Sequence, residues 1–175
     1  MRKSITIIGP NAPGCTPEVY DFGLQLGKLL TDEGYIIING GREGIMEAVN
    51  KGAHASARYR FGQTVCLLPS AHPDEANPYC DIRIPTGLGL ARNFLIANSS
   101  DIVVAVAGGA GTLSEIAYAW QLNKKIIAVT LFDGWAKKLA GQALDHRRSD
   151  QIIPLDRIDD LPEILDTLLK SGGKI

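Results

Sequence analysis

The sequence predicts an α/β fold, a mostly parallel sheet of about six or seven strands with helices on both faces. Three observations predict it. Short runs rich in Val, Ile and Ala alternate along the chain with longer segments of helical periodicity. Those short runs are apolar throughout, the pattern of strands buried on both faces. Glycine-rich turns fall where strand-like runs pass into helical ones, at the strand ends of a parallel sheet joined by right-handed crossovers.

In chain order, Ser4–Gly9 (SITIIG) reads as the first buried strand and 10–15 as a turn. Thr16 is placed as an N-cap with Pro17 at the first helical position, and the helix runs to about Asp32, where Gly34 ends it. Tyr35–Asn39 is the second strand, Gly40–Gly44 the next glycine turn, and Ile45 to about Arg58 a helix with Ile45, Val49, Ala53 and Ala57 on one face. Gln63–Pro69 is a third strand. After a polar loop from Ser70 to Cys80, Asp81–Pro85 reads as a strand whose proline marks an edge. Thr86–Gly89 opens a helix through Arg92, Phe94, Leu95 and Ala97. Asp101–Ala107 is a central strand, followed by Gly108–Thr112 and a helix from Leu113. Lys125–Leu131 and Ile152–Leu155 are further strands, with a helix around Trp135–Leu144 between them. Asp159 or Asp160 caps a final helix, and residues 171–175 read as a frayed tail. With no internal repeat and no linker, residues 1–175 read as one domain.

Composition narrows the function. A net charge of −1 lacks the basic footprint of a nucleic-acid binder. No apolar run reaches the roughly 18–20 residues of a spanning helix, and no signal-peptide pattern is visible, so a cytoplasmic location is expected. Cys15, Cys66 and Cys80 are odd in number and form no CxxC, so neither a disulfide framework nor a zinc site is expected. His54, His72 and His146 show no metal spacing, and no metal ligands are assigned.

The chemistry concentrates at Gly108-Gly109-Ala110-Gly111-Thr112. A strand, a glycine turn and a helix in that order aim free N–H groups and the positive end of the helix dipole at one spot, a site for phosphate. A P-loop reading of residues 9–16 fails because Cys15 stands where lysine is needed, and a dinucleotide fingerprint at 109–114 fails because Ser114 replaces its last glycine. Thr112-Leu113-Ser114-Glu115 has the spacing of a capping box, and Glu115, near a helix N-terminus, is expected to stay ionised. Arg92, in a helix after Gly87 and Gly89, is either a surface ion pair or a clamp on phosphate or ribose. The helix 113–122 is apolar on more than one face, which fits deep burial or a subunit contact. Cys15 reads as a small packing residue or a reactive thiol at a helix start.

Asn39-Gly40-Gly41-Arg42-Glu43-Gly44-Ile45-Met46, Ala91-Arg92-Asn93 and Gly108 through Glu115, in this order, resemble the signature of the Lonely Guy-like, formerly lysine-decarboxylase-like, Rossmann superfamily. The resemblance covers residues 4–131 and implies two functions. One is that of molybdenum-cofactor carrier proteins, which hold a phosphorylated pterin. The other is that of cytokinin-activating phosphoribohydrolases, which cleave the N-glycosidic bond of a nucleoside 5′-monophosphate. By resemblance, Gly40, Gly41, Arg42, Gly44, Arg92, Asn93, Gly108, Gly109, Gly111, Thr112 and Glu115 bind the ligand, and Arg92 with Glu115 is the catalytic pair of the hydrolase branch. Ala107 stands where the hydrolase motif has proline, and Leu90-Ala91-Arg92-Asn93 replaces its Met-x-x-Arg-Lys, so the chain is more similar to the carrier branch. The expectation is a binding protein for a phosphorylated pterin (molybdenum cofactor as bound ligand) or a nucleotide. No cofactor is required, no nucleic acid or membrane is bound, and the chain forms a homo-oligomer, dimer or tetramer.

Overall fold

The computed structural model describes residues 3–171. Its core is a seven-stranded, fully parallel sheet: β1 (Ser4–Ile8), β2 (Ile36–Asn39), β3 (Thr64–Leu68), β4 (Ile82–Pro85), β5 (Ile102–Val106), β6 (Lys125–Val129) and β7 (Ile153–Leu155). The spatial order is β4-β3-β2-β1-β5-β6-β7. The helices are α1 (Pro17–Asp32), α2 (Ile45–His54), α3 (Arg92–Asn98), α4 (Ala110–Gln121), α5 (Trp135–Leu139) and α6 (Leu161–Ser171).

Strand alternation explains the two-layer packing. Ile5 and Ile7 of β1 point to one face, where they meet Leu26 and Leu30 of α1, Val49 of α2 and Leu165 of α6. Ile8 points to the other, where Ile96 of α3, Ile116 and Trp120 of α4 and Ala136 of α5 lie. Each buried Leu or Ile side chain contributes about 1.5–3 kcal/mol, so both faces must be covered for strands this apolar to persist. The polar residue of β1 between Ile5 and Ile7, Thr6, is satisfied: its Oγ1 donates to the Ile96 carbonyl at 3.3 Å, and its amide donates to Ser100 Oγ at 3.0 Å.

The predicted elements are present with shifted ends. Thr16 caps α1 through Oγ1, which accepts from the Val19 amide at 3.4 Å. The second helix stops at His54 instead of Arg58, because Ser56 Oγ accepts from the Arg58 amide and donates to Asp32, drawing the chain out of helical register. The helix expected over 135–144 is only five residues, α5, which ends in extended backbone at Ala140. β4 is the exposed edge strand that its proline predicted. The expected frayed tail lies, beyond Ser171, outside the described residues.

One expectation is corrected outright. Cys66, on β3, and Cys80, just before β4, form a disulfide with Cα atoms 6.1 Å apart. Their 14-residue separation carries no motif. The pairing of β3 with β4 is what brings the two thiols within bonding range.

Candidate ligand-binding site

The chain leaves β1 toward β2 on one side and enters β5 on the other, so β1 and β5 are neighbours whose following turns diverge. Open parallel sheets bind ligands in the crevice at such a switch point. A cavity of about 280 Å³ lies there, lined by Gly9, Pro10 and Asn11 after β1, Gly40 and Arg42 after β2, Met46 of α2, Leu90, Arg92 and Asn93 around the start of α3, and Gly109, Gly111, Thr112 and Glu115 after β5.

The α4 end of the cavity is open backbone. Gly108 turns the chain at φ +88°, and α4 has begun by Ala110, with the Leu113 amide donating to the Gly109 carbonyl at 3.0 Å. The amides before Leu113 therefore lack intrahelical acceptors. A Cβ built at Gly109 or Gly111 meets nothing within 4 Å, so neither glycine is required by the protein's own packing. Both leave the amides accessible to a ligand.

This start corrects the capping-box expectation. The reversal is complete at Gly108, so the N-cap is Gly109 and no side chain caps the helix. Thr112 sits in the first turn with its side chain against Gly108, and Glu115 lies a turn deeper, facing the cavity. Ser114 Oγ donates to the Gly111 carbonyl at 2.7 Å and accepts from Asn93 Nδ2 at 2.9 Å, which ties α3 to the first turn of α4.

Arg92 and Glu115 form the charged centre. Arg92 Nη1 stands 3.7 Å from Glu115 Oε1, an ion pair beyond hydrogen-bond range, with both side chains about nine-tenths buried. Burial pushes the Glu115 carboxyl up to about 7, against a smaller opposing pull from Arg92. This corrects the expectation of a firmly ionised carboxylate: desolvation outweighs the favourable field of a helix start that is open to solvent. Burial also lowers the Arg92 pKa, which Glu115 opposes and Arg42 reinforces. Arg92 Nε is buried without a hydrogen-bond partner, and so is Asn11 Oδ1 on the same cavity. Such groups cost about 1–3 kcal/mol each unless a ligand or water satisfies them.

The Gly40–Gly44 turn forms the opposite wall. Asn39 Oδ1 accepts from the Gly41 amide at 2.9 Å, and Asn77 Nδ2 donates to the carbonyls of Gly41 and Arg42 at 3.1 and 3.0 Å. The Ile45 amide donates to the Pro10 carbonyl at 3.1 Å, joining this wall to the turn after β1.

Of the residues expected to bind ligand, Gly40, Arg42, Arg92, Asn93, Gly109, Gly111, Thr112 and Glu115 converge on the cavity. Gly41, Gly44 and Gly108 do not line it: Gly41 packs on Cys66 and Leu68, Gly44 on the backbone of Pro10 and Asn11, and Gly108 on Thr112. Ile7, Ile8, Gly9, Pro10, Asn11, Met46 and Leu90 line it without having been among the expected ligand-binding residues. The position of 10–11 directly after β1, at a strand's carboxyl end, was the signal for Pro10 and Asn11. Burial raises the Cys15 pKa, which argues against a reactive thiolate there. His54 packs 4.2 Å from the Tyr59 ring beside Asp81, while His72 and His146 are exposed. Among the described residues, no group of three or more His, Cys, Asp or Glu could hold a metal ion, and no helix is long and apolar enough to cross a membrane.

The model of the SLOG cluster4 family, a Lonely Guy-like family, matches residues 2–161. The chain belongs to the SLOG cluster4 family. This SLOG chain is 41% identical over 125 residues to an uncharacterized protein of Archaeoglobus fulgidus, covering 71% of the chain and 78% of that protein. It is similar in structure to the molybdenum cofactor binding protein of the phototrophic bacterium Rippkaea orientalis, with a TM-score of 0.83 at 31% identity, covering 97% of this chain and 98% of that one. It is 28% identical over 142 residues to the rice cytokinin riboside 5′-monophosphate phosphoribohydrolase LOG, covering 76% of the SLOG chain but only 57% of the rice enzyme. The predicted fold class and superfamily both hold.

Proposed function

We propose that this SLOG protein is a binding protein for a phosphorylated pterin of the molybdenum-cofactor type. The phosphate rests on the Gly109–Thr112 amides, and Arg92, Asn93 and Arg42 contact the rest of the ligand. The observation that carries the proposal is the pairing of an uncovered α4 N-terminus, where Gly109 and Gly111 face open space, with the buried, unpartnered Nε of Arg92 in the same cavity. Phosphate supplies what both lack, acceptor oxygens carrying negative charge. The similarity to a molybdenum cofactor binding protein across nearly the full chain supports a pterin over other phosphorylated molecules. Here the molybdenum cofactor is cargo, and the protein's part is to bind its phosphate and cover its ring.

A second reading is supported by Glu115. It does not cap α4, and a buried carboxyl titrating near 7 beside an arginine suits proton transfer to a leaving base. This is hydrolysis of a nucleoside 5′-monophosphate to free base and ribose phosphate, with Glu115 and Arg92 as the catalytic pair. One experiment separates the two readings. Purified protein is incubated with a panel of nucleoside monophosphates and, separately, titrated with the phosphorylated pterin. The binding-protein reading expects pterin binding without release of base. Sustained release of base, abolished in Glu115→Gln, overturns it.

The proposal includes a cytoplasmic homo-oligomer. Phe94 of α3 and Tyr118 of α4 are exposed and meet edge to face at 5.6 Å, and this pair, with the exposed Leu88 just before α3, is the proposed contact. A single monomeric species by light scattering refutes it.

A further inference from the structure

Beneath the Gly40–Gly44 turn lies a buried polar cluster that the proposed function does not use. Asn50 of α2 is fully buried, and its Nδ2 reaches Cys80 Sγ at 3.3 Å, Cys66 Sγ at 3.4 Å and Asn77 Oδ1 at 3.4 Å. Its Oδ1 accepts from Asn39 Nδ2 at 2.7 Å. Asn39 and Asn77 are the residues that hold the Gly41 amide and the carbonyls of Gly41 and Arg42. The chain of contacts therefore runs from the Cys66–Cys80 bridge through three buried asparagines to the turn that carries Arg42 into the cavity.

Space makes this coupling one of position. Gly41 sits at φ +71° directly on the bridge, where a Cβ would lie 2.6 Å from Cys66 Cβ and 3.3 Å from its sulfur. Two thiols keep van der Waals separation, which exceeds a covalent S–S bond, and both cysteines are buried in close-packed interior. The Gly41 turn and the Asn77–Cys80 segment are the neighbours placed to take up the added separation when the bond opens. Cys66 is fully buried and Cys80 is 5% exposed, so a reductant reaches the bridge through local opening at this sheet edge, where Cys80 leads into the exposed strand β4.

We propose that Cys66 and Cys80 are a redox modification site that clamps the Gly40–Gly44 turn, closed as the disulfide and released as the dithiol. A small dithiol opens it. The two sulfurs gain two electrons and two protons, and the reagent leaves as its own cyclic disulfide. Release loosens the Asn39 and Asn77 bonds to the turn and displaces Arg42. Weaker anion binding then follows, and only this last step rests on the proposed function.

The test uses the full chain. Alkylation of unfolded, air-purified protein followed by mass measurement is expected to label Cys15 alone, and all three cysteines after dithiol treatment. Hydrogen exchange at the Gly41 amide is expected to quicken at least tenfold on reduction and to recover on reoxidation. Sulfate affinity, the ligand probe, is expected to fall about fivefold. In Cys15→Ser labelling goes from no cysteine to two on reduction, and the exchange and sulfate responses persist. Three labelled cysteines before reduction, or Gly41 exchange unaltered by it, overturn the proposal. Sulfate binding absent in both redox states counts against the anion cavity instead, and Gly41 exchange then decides the clamp by itself.

Discussion

The guanidinium of Arg92 lies on the bare face of Gly40, where a Cβ would overlap both terminal nitrogens. The contact joins α3 to the turn after β2 across the mouth of the switch-point crevice. Gly40→Ala is therefore expected to act through Arg92. The atoms in its way are the far ends of Arg92 and Met46, which can swing aside, so stability falls by less than about 1 kcal/mol. Ligand binding should fall nearly as far as in Arg92→Ala. Thermal melts combined with titration calorimetry on both variants check this.

Gly111 gives effects of opposite sign. It lies in the first turn of α4 with open space where its Cβ would be. Gly111→Ala is expected to raise stability by about 0.5–1 kcal/mol, the ordinary helical gain. The added methyl stands between ligand and amide, so phosphate or sulfate affinity should drop by roughly tenfold. Denaturant unfolding and anion titration on one sample give both numbers.

Glu115 should make stability depend on pH. Its folded pKa is raised from the usual 4.5 to about 7, so the folded state holds the proton more tightly than the unfolded chain. The associated stabilisation is complete below about 4.5 and lost as pH rises through about 7. The loss is on the order of 3 kcal/mol. Glu115→Gln should flatten the stability profile between those limits in denaturant unfolding. The same titration should make sulfate bind several-fold more tightly as pH falls through about 7, because protonation removes a like charge from the cavity. Sulfate does not titrate in this range, so a flat wild-type affinity profile counts against the coupling.

Ala107 holds φ +45°, a left-handed conformation costly for any residue with a Cβ. Ala107→Gly is expected to stabilise by about 1 kcal/mol. Ala107→Pro, the residue found there in the hydrolase motif, cannot adopt this φ and should cost about 3 kcal/mol or more. Chemical denaturation of the pair tests whether this turn is built differently from the hydrolase one.

Much of the fold was legible because its signals are local. Thr16-Pro17 marks a helix start by its own hydrogen bonding and fixed φ, and runs such as Ile102–Val106 name buried strands by composition alone. The glycine turns were legible as site elements because each follows a strand's carboxyl end. Thr112 and Glu115 misled for a related reason. Their spacing is that of a capping box, but the true start of α4 depends on the φ of Gly108, which the letters do not encode.

By itself, then, the sequence determined the order of strands and helices, the placement of amide-rich turns at strand ends and the superfamily, all properties of short stretches. Only the tertiary structure decided which turns share a cavity, because the β1–β5 switch point arises from strand order. It alone laid Arg92 on Gly40, raised the Glu115 pKa by enclosing it and brought Cys66 to Cys80. Each of these is a contact or a desolvation between segments far apart in the chain, and such energies depend on three-dimensional proximity rather than on spacing along the sequence.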